Sequence, residues 1–315
     1  MKGKPLVYIV LPVYNWEKYF LEQLMSLYYQ DYTNWFLIIV NDWSTDSSEA
    51  IARDFVSHYN LHDKVKILQK ENWWVNSAVQ KWLEEIKKIC DVNKYNSLIS
   101  YCDCDDVWAR NKLSVQVEYM VQHPECGLLF HNMLLINEYW EYRNRSFLQN
   151  YYHNEDFIYI ATMWNIPAVS MMFRSRYVDN LLPMPIQQWM AQDVRTALVL
   201  SLLKVWIHYL DRNLFYYRQL PTGLLNKIGS NPKRVQNQIK FNYFLSLENR
   251  YPNEEDIKYI KQYTYDRFIK WYNKWYSSIR IYLLMLFKYP KIFFLWLKAV
   301  FYEQKFFRHM SLLFK

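Results

Sequence analysis

The chain has 315 residues, of which 52% are hydrophobic and 19% are aromatic, and its formal net charge is +8. This length and composition allow one substantial core with an appendage, and they exclude a disordered chain. The charge is uneven, because residues 221–315 hold 17 Lys and Arg against 6 Asp and Glu, whereas residues 1–220 hold 21 against 24.

Strands and helices are predicted to alternate over the first two thirds of the chain. Short apolar runs such as Leu6–Leu11 are typical of buried strands, and apolar positions three and four residues apart are typical of helices. This alternation predicts an α/β fold with a mostly parallel central sheet flanked by helices. The predicted strands are Leu6–Leu11, Phe36–Val40, Val65–Leu68, Leu98–Cys102, Gly127–His131, Ala168–Phe173 and part of Tyr209–Arg218, and the predicted helices are Glu17–Gln30, Ser47–Tyr59, Ser77–Ile89, Asn111–Gln122 and Val194–Lys204.

Beyond Pro221 the pattern becomes helical only, so we divide the chain into an α/β domain, residues 1–220, and a C-terminal helical extension, residues 221–315. Lys and Arg interrupt the apolar residues of this extension too often for a membrane-spanning helix. Its basic and aromatic pattern predicts helices lying on an anionic membrane surface, and a helical subdomain packed on the α/β domain is the alternative. No nucleic-acid-binding module is recognisable, so no nucleic-acid partner is expected.

Three carboxylates follow the fourth predicted strand, at Asp103, Asp105 and Asp106. Carboxylates so close together repel one another. At the carboxyl end of a parallel strand, where α/β sheets bind ligands, a hard divalent cation relieves that repulsion. Mg²⁺ and Mn²⁺ typically take one or two protein carboxylates and complete their coordination with phosphate oxygens and water. The alternative is a solvated turn that caps the next helix.

Three segments in a fixed order carry a resemblance to a known family. Residues 7–15 read VYIVLPVYN, residues 38–46 read IIVNDWSTD, and residues 101–113 read YCDCDDVWARNKL. Their order and spacing resemble the nucleotide-binding half of the inverting glycosyltransferases of family 2, which have the GT-A fold. The resemblance covers about residues 5–220 and extends to rhamnosyltransferase-like members of bacterial surface polysaccharide synthesis.

The resemblance implies a site for a nucleoside-diphosphate sugar. Pro12, Tyr14 and Asn15 would line the nucleotide pocket after the first strand. Asp42 would accept a hydrogen bond from the base, because a carboxylate suits an N–H donor of uracil or thymine.

The same resemblance implies a metal site and a catalytic base. Asp103 and Asp105 match the family's D-x-D pair, which binds Mg²⁺ or Mn²⁺ and the donor diphosphate, with Asp105 the better candidate for direct metal contact. Asp106 would support the loop or the donor sugar. Asp193, just before the predicted helix Val194–Lys204, matches the family's general base, and a helix N-cap is the alternative.

Tryptophan stands where the family shows glycine. The chain holds 4 Gly and 14 Trp, although glycine makes up about 7% of an average protein. Trp16, Trp43, Trp74 and Trp82 occupy such positions, and Trp140 falls in a turn-like stretch. Either these indoles are real and the pocket is reshaped or inactive, or the gene belongs to an organism that reads UGA as glycine and was translated with UGA as tryptophan. We favour the second interpretation.

These features predict a metal-dependent, inverting glycosyltransferase that moves a sugar from a nucleoside-diphosphate donor to a glycan or lipid-linked acceptor. The alternatives are a catalytically silent family member that binds nucleotide or glycan, and a membrane-surface scaffold that reuses the fold. The first residues show no signal-peptide pattern and the cysteines no disulfide framework, so we expect a cytoplasmic protein at the inner face of the cell membrane. The sequence encodes no readable preference for donor sugar, acceptor or oligomeric state.

Overall fold

The structure, a computed structural model, describes residues 4–70, 75–89, 97–146, 166–182 and 192–220. The predicted helical extension, residues 221–315, lies outside these described residues, as does Trp74. Within the described ranges, no helix is long and apolar enough to cross a membrane.

The described part of the chain forms nine strands and six α-helices. The strands are β1 (Val7–Val13), β2 (Trp35–Asn41), β3 (Val65–Gln69), β4 (Leu98–Tyr101), β5 (Val107–Trp108), β6 (Cys126–Ile136), β7 (Tyr142–Ser146), β8 (Met172–Arg174) and β9 (Trp206–Arg218). The helices are α1 (Glu17–Tyr28), α2 (Ser48–His58), α3 (Val75–Ile89), α4 (Lys112–Gln122), α5 (Val178–Leu181) and α6 (Gln192–Leu202).

All nine strands belong to one mixed sheet in the order β3-β2-β1-β4-β8-β6-β9-β5, with β7 paired to β6. Strands β3, β2, β1 and β4 are parallel, as α/β alternation predicts. Strand β8 is antiparallel to both β4 and β6, and β6 and β9 are again parallel. The predicted α/β sheet is therefore confirmed, with its parallel half formed by the first four strands.

The core lies on both faces of the sheet because strand side chains alternate. In β1, Val7, Ile9 and Leu11 face one hydrophobic cluster, which α1, α2 and α4 cover. Tyr8 and Val10 face a second cluster, which α3, α5 and α6 cover. Strands buried on both faces need apolar residues at every position, which explains why their runs were readable in the sequence.

The structure differs from the predicted elements most clearly in four elements. The strand predicted at 168–173 is wrong in extent, because Ala168–Ser170 form a 3₁₀ turn and only Met172–Arg174 join the sheet. The turn starts at Pro167, whose carbonyl accepts a hydrogen bond from the N–H of Ser170 (2.9 Å). Helix α6 begins at Gln192, so Asp193 lies in its first turn. The short strands β5 and β7 were not predicted.

Lys112, the first residue of α4, is buried and carries its amino group against Ser100 of β4. Its Nζ donates hydrogen bonds to Gln116 Oε1 (2.7 Å) and Ser100 Oγ (3.3 Å), and it lies 4.0 Å from the centre of the Trp108 ring. Burial lowers the pKa of Lys112 from 10.5 to about 7. Protonation of Lys112 therefore costs free energy in the folded state but not in the unfolded chain.

Replacing Lys112 with Met is expected to stabilise the protein at pH 6 by about 1–3 kcal/mol. Because the folded pKa of Lys112 lies below its unfolded value, the wild-type protein loses stability as pH falls from about 10.5 to about 7. The advantage of the variant should consequently shrink between pH 6 and pH 9. Thermal unfolding at both pH values measures it, with the exposed Lys88→Met as the matched control. An advantage that is equal at the two pH values contradicts the prediction.

Candidate functional site

The carboxyl ends of β1, β2 and β4 lie side by side at one edge of the sheet, because β1 pairs in parallel with both neighbours. The N–H of Asp42 donates to the carbonyl of Val13 (2.8 Å). The Cys104 thiol donates to the carbonyl of Pro12 (3.0 Å). These contacts bring Pro12 and Asp42 to the same edge as residues 103–106, which we call the acidic loop.

The three carboxyl groups of the acidic loop crowd one another, with Asp106 buried and Asp103 and Asp105 partly exposed. Burial, together with the charges of Asp105 and Asp193, raises the pKa of Asp103 to about 7. Burial raises the pKa of Asp105 to about 6. Burial and the charges of Asp105 and Asp103 raise the pKa of Asp106 well above its ordinary value. Carboxyls in this state keep protons near neutral pH unless a cation replaces them.

Arg218, the last residue of β9, contacts the acidic loop through its backbone and its side chain. Its N–H donates to Asp106 Oδ1 (3.1 Å), and its Nε donates to the carbonyl of Asp105 (2.9 Å). A guanidinium nitrogen forms an ion pair with Glu22 Oε2 of α1 (2.5 Å). The other carboxylate oxygen of Asp106, Oδ2, is buried without a hydrogen-bond partner among the described residues.

Asp193 lies in the first turn of α6, and neighbouring residues fix this helix to β4 and to α5. The Thr196 hydroxyl is 2.9 Å from the hydroxyl of Tyr101 in β4. The Arg195 Nε and one Nη donate to the carbonyl of Leu181 (2.9 and 2.8 Å). Asp193 is only partly buried, and its charge contributes to the raised pKa of Asp103. The structure thus brings Asp193 near the acidic loop from a helix distant in sequence.

Tyr217 is a residue of the site that sequence reasoning missed. Burial raises the pKa of its hydroxyl far above the ordinary value, and the charges of Asp106, Asp105, Asp103 and Asp193 add to the effect. All four carboxylates therefore lie within electrostatic reach of this one hydroxyl. The sequence signal was the stretch Tyr216-Tyr217-Arg218, which resembles the Y-R end of a late strand in the family and drew attention to Arg218 and not to Tyr217.

Asp42, the predicted base acceptor, is buried and already has one partner. Lys70, which follows β3, donates to Asp42 Oδ1 (2.8 Å), and both side chains are nearly enclosed. A carboxylate has two oxygens and several acceptor positions, so this ion pair leaves capacity for an N–H of a base. Tyr14 is 45% exposed at the same edge.

Asn15 ties the loop after β1 to the loop after β2. Its backbone is left-handed, with φ 57°, a conformation that asparagine tolerates. Its Oδ1 accepts a hydrogen bond from the N–H of Thr45 (2.8 Å), and its own N–H donates to Ser44 Oγ (3.2 Å). The structure therefore gives the Asn15 side-chain oxygen a bracing contact between two loops, in addition to its place at the predicted pocket.

A sequence profile described as Glycosyl transferase family 2 matches residues 8–181, more than half of the chain.

The chain belongs to glycosyl transferase family 2.

Several curated proteins are similar to this family 2 chain. GlyA, a glycosyltransferase of Streptococcus pneumoniae serotype 4 (strain ATCC BAA-334 / TIGR4), is 24% identical over 234 residues, which are 70% of this chain and 31% of GlyA. TuaG of Bacillus subtilis (strain 168), named as a proposed teichuronic acid biosynthesis glycosyltransferase, is 30% identical over 129 residues, which are 40% of this chain and 46% of TuaG. The family 2 chain spans about half, or less, of the length of the curated relatives it matches.

Solved glycosyltransferases share the fold. S. aureus TarS 1-349 in complex with UDP-GlcNAc has a TM-score of 0.59 and 17% identity, over 85% of the family 2 chain and 72% of that chain. The mannosyltransferase PcManGT of Pyrobaculum calidifontis, in complex with GDP-Man and Mn²⁺, has a TM-score of 0.57 and 16% identity, over 90% of the family 2 chain and 79% of PcManGT. The predicted GT-A fold is confirmed for the family 2 chain.

The carboxylates of the acidic loop suit a hard divalent cation for which the protein would supply only some of the ligands. No three Asp, Glu, His or Cys side chains within the described ranges are arranged to hold a metal ion by themselves. Asp103 and Asp105 nevertheless offer carboxylates whose protons are easily displaced near neutral pH. Mg²⁺ and Mn²⁺ need only one or two such groups when phosphate oxygens complete the coordination. The acidic loop therefore fits a divalent cation whose coordination phosphate oxygens would complete.

The stabilisation of the protein by Mn²⁺ with UDP is expected to grow from pH 6 to pH 8. Cation binding must displace protons from Asp103 and Asp105, whose raised pKa values lie near 7 and 6. Each displaced proton lowers the apparent affinity about tenfold per pH unit below the pKa. Thermal unfolding over a Mn²⁺ titration with UDP at both pH values measures the effect.

The metal-free protein provides the control for this pH dependence. The folded pKa of Asp103 lies above its unfolded value of 3.8, so folding retains a proton and stability falls as pH rises from about 4 to about 7. The Mn²⁺ effect therefore runs opposite to the metal-free trend. Equal apparent Mn²⁺ affinity at pH 6 and pH 8 contradicts the prediction.

Proposed function

We propose that this protein is an inverting glycosyltransferase that transfers a sugar from a nucleoside-diphosphate donor to an acceptor hydroxyl, with Mg²⁺ or Mn²⁺ as cofactor. The single observation that carries the proposal is the convergence of Asp193 and the acidic loop at the carboxyl edge of the parallel strands. An α/β sheet binds ligands at that edge, and carboxylates with raised pKa values cluster at functional sites.

Different residues of the site would bind the cation and accept the proton. Asp103 and Asp105 would hold the cation, and a bound cation would offset the negative charge of the donor diphosphate. When bound, a divalent cation stabilises the negative charge that grows on the leaving diphosphate. Asp193 accepts the proton of the acceptor hydroxyl as that oxygen attacks the anomeric carbon, a contribution of about 10²–10⁴-fold. Attack opposite to the leaving group inverts the anomeric configuration.

The nucleotide is proposed to bind across the ends of β1 and β2. Pro12 and Tyr14 would form one wall of the pocket, with Asn15 at its edge. Asp42, oriented by Lys70, would accept an N–H of the base. Asp106, fixed by the backbone of Arg218, would support the loop or the donor sugar.

The acceptor is proposed to be a glycan or a lipid-linked glycan in cell-surface polysaccharide synthesis. The names of relatives support this class, because TuaG is named for teichuronic acid biosynthesis. The solved neighbours bind UDP-GlcNAc and GDP-Man, which supports a nucleotide-sugar donor.

The direct test is turnover. The protein is incubated with Mn²⁺ and a panel that includes UDP-GlcNAc and GDP-mannose, with and without glycan acceptors, and released nucleoside diphosphate is measured. The proposal expects metal-dependent release that an acceptor accelerates with at least one donor. Nucleotide-sugar binding without release from any donor would instead support a catalytically silent member of the family.

One observation favours that silent alternative. Trp43, directly after Asp42, has a left-handed backbone and is 58% exposed, where it can obstruct the base pocket. UDP binding to the Trp43→Gly variant, measured by calorimetry beside the unchanged protein, tests obstruction. Equal affinity removes the argument for a silent site.

We also propose that the protein is peripheral at the inner face of the cell membrane. The support is the sequence of residues 257–315, with 12 Lys and Arg against 2 Asp and Glu among many aromatic residues. The full chain should pellet with vesicles of phosphatidylglycerol and phosphatidylcholine at low salt, and less at high salt. Absence of pelleting at low salt would reject this location.

A further inference from the structure

Arg218 has a side chain that is only 1% exposed, and its hydrogen-bonding groups point at the acidic loop and at α1. Its Nε binds the carbonyl of Asp105, and its own N–H binds the carboxylate of Asp106. Its guanidinium also lies 4.8 Å from the centre of the Tyr19 ring. A planar guanidinium fixes its partners more rigidly than a lysine, because its N–H groups diverge at set angles.

We infer that Arg218, oriented by Glu22, is a positioning residue that holds the acidic loop in the geometry the reaction needs. The contact with a backbone carbonyl fixes the loop and leaves the carboxylate of Asp105 available for other ligands. Arg218 does not serve as an open phosphate-binding arginine, since its side chain is enclosed and paired. The claim that the reaction needs this loop geometry rests on the proposed function, whereas the positioning of the loop by Arg218 can be measured without turnover.

Glu22→Gln is the most informative variant, because Glu22 is 38% exposed and its replacement conserves size. Replacing the charged acceptor of the Arg218 hydrogen bond by a neutral one should weaken it and raise hydrogen exchange of the acidic loop by about tenfold. It should also raise the Mn²⁺ concentration that half-saturates UDP-dependent thermal stabilisation. Arg218→Lys should show the same pattern more strongly, because one ammonium cannot reproduce the divergent contacts.

The matched control is Glu85→Gln, which removes a different ion pair, between Glu85 of α3 and Lys66 of β3. It should leave exchange of the acidic loop unchanged. Loop exchange that is unchanged in Glu22→Gln overturns the inference. A rise of exchange across the whole sheet also overturns it, because that result indicates general destabilisation. Failure to find a sugar donor affects the proposed function and leaves these measurements valid.

A second, independent observation concerns the backbone at two tryptophans. Five non-glycine residues in the described ranges have positive φ, and Trp43 (62°) and Trp140 (64°) are two of them. Asn15 and Asn60 account for two more, and asparagine tolerates this region. For a bulky residue the same conformation is a strained exception that glycine avoids.

The turn around Trp140 is one that selects glycine. The N–H of Trp140 donates to the carbonyl of Asn137 (3.3 Å), and the N–H of Asn137 donates to the carbonyl of Glu141 (3.2 Å). This is the hairpin turn in which a tight turn is followed by one left-handed residue, usually glycine. Trp43 follows β2 in a turn where the N–H of Ser44 donates to Asn41 Oδ1 (3.2 Å).

We propose that the protein as its organism makes it carries glycine at positions 43 and 140, through UGA codons read as glycine. The low glycine count, 4 in 315 residues, agrees with glycine codons that were translated as tryptophan. The backbone distinguishes Trp43 and Trp140 from Trp16 and Trp82, which stand where the family shows glycine. Trp16 has an ordinary backbone, with φ −122°, and Trp82 is fully buried inside α3, so neither has a backbone reason to be glycine.

The gene and the folded protein both test this proposal. UGA at codons 43 and 140, with glycine in the masses of peptides from the native protein, is expected. UGG at either codon overturns the proposal for that position. Trp43→Gly should raise Tm by about 2–4 °C. At position 140 the relief of backbone strain is offset by the loss of the hydrogen bond from Trp140 Nε1 to Glu22 Oε1 (2.9 Å) and of the ring contact with Arg218, so Trp140→Gly should change Tm by less than about 2 °C. The buried controls Trp35→Gly and Trp108→Gly should lower it, and a comparable loss at 43 or 140 contradicts the proposal.

Discussion

Replacing Asp193 with Asn is expected to lower kcat by about 10²–10⁴-fold, because an amide cannot accept the proton of the attacking hydroxyl. Asn conserves the size of the side chain in the first turn of α6, and Thr196 and Arg195 still anchor the helix. Binding of UDP with Mn²⁺ should consequently persist. Steady-state kinetics and a thermal-shift titration on the same sample separate these two effects.

The matched control for this substitution is Asp54→Asn, an exposed carboxylate on α2. It should leave kcat and UDP binding unchanged. Undiminished turnover in Asp193→Asn removes this residue from the role of base. A loss of turnover accompanied by a large drop in Tm indicates instead that the residue supports the helix.

Asp105→Asn is expected to lower turnover by about 10³-fold or more, through weaker metal and donor binding. A neutral amide is a poorer ligand for a hard cation than a carboxylate. Unlike Asp193→Asn, this change should abolish the stabilisation by Mn²⁺ with UDP. Without metal, the variant should be more stable than the unchanged protein above pH 6, since it lacks a carboxyl with a raised pKa.

Asp63→Asn, at an exposed position before β3, serves as the control for this charge removal. Its Mn²⁺ titration should match that of the unchanged protein. If Asp105→Asn retains full Mn²⁺-dependent stabilisation by UDP, Asp105 does not bind the cation. Retained binding without turnover would place Asp105 closer to the reacting sugar than to the metal.

The parallel half of the fold was predictable from sequence because its strands are buried on both faces. Every residue of Phe36–Val40 must be apolar to lie between two layers of helices, so the run is continuous. The positions of Asp42 and Asp103 followed, since residues after parallel strands share one edge. The antiparallel additions β5 and β7 were not predictable, because short edge strands leave only a weak alternation pattern.

The rest of the site depends on contacts between residues far apart in the chain. Glu22 and Arg218 are 196 positions apart, and Tyr217 reaches the acidic loop only because β9 ends there. The sequence also did not predict the pairing of Lys70 with Asp42, because a lysine after a strand is usually solvated. Composition and periodicity report local preferences, whereas these pairings are decided by the order of strands in the sheet.

The bracing of the first two loops affects the entropy of ligand association. Besides the contacts of Asn15, the N–H of Glu17 donates to Asp46 Oδ2 (3.0 Å), and the N–H of Ser47 donates to Glu17 Oε2 (3.0 Å). Each helix start is thus capped by a side chain from the other. A ligand that arrives between these loops meets backbone that is already immobilised, so its binding free energy is not spent on freezing them.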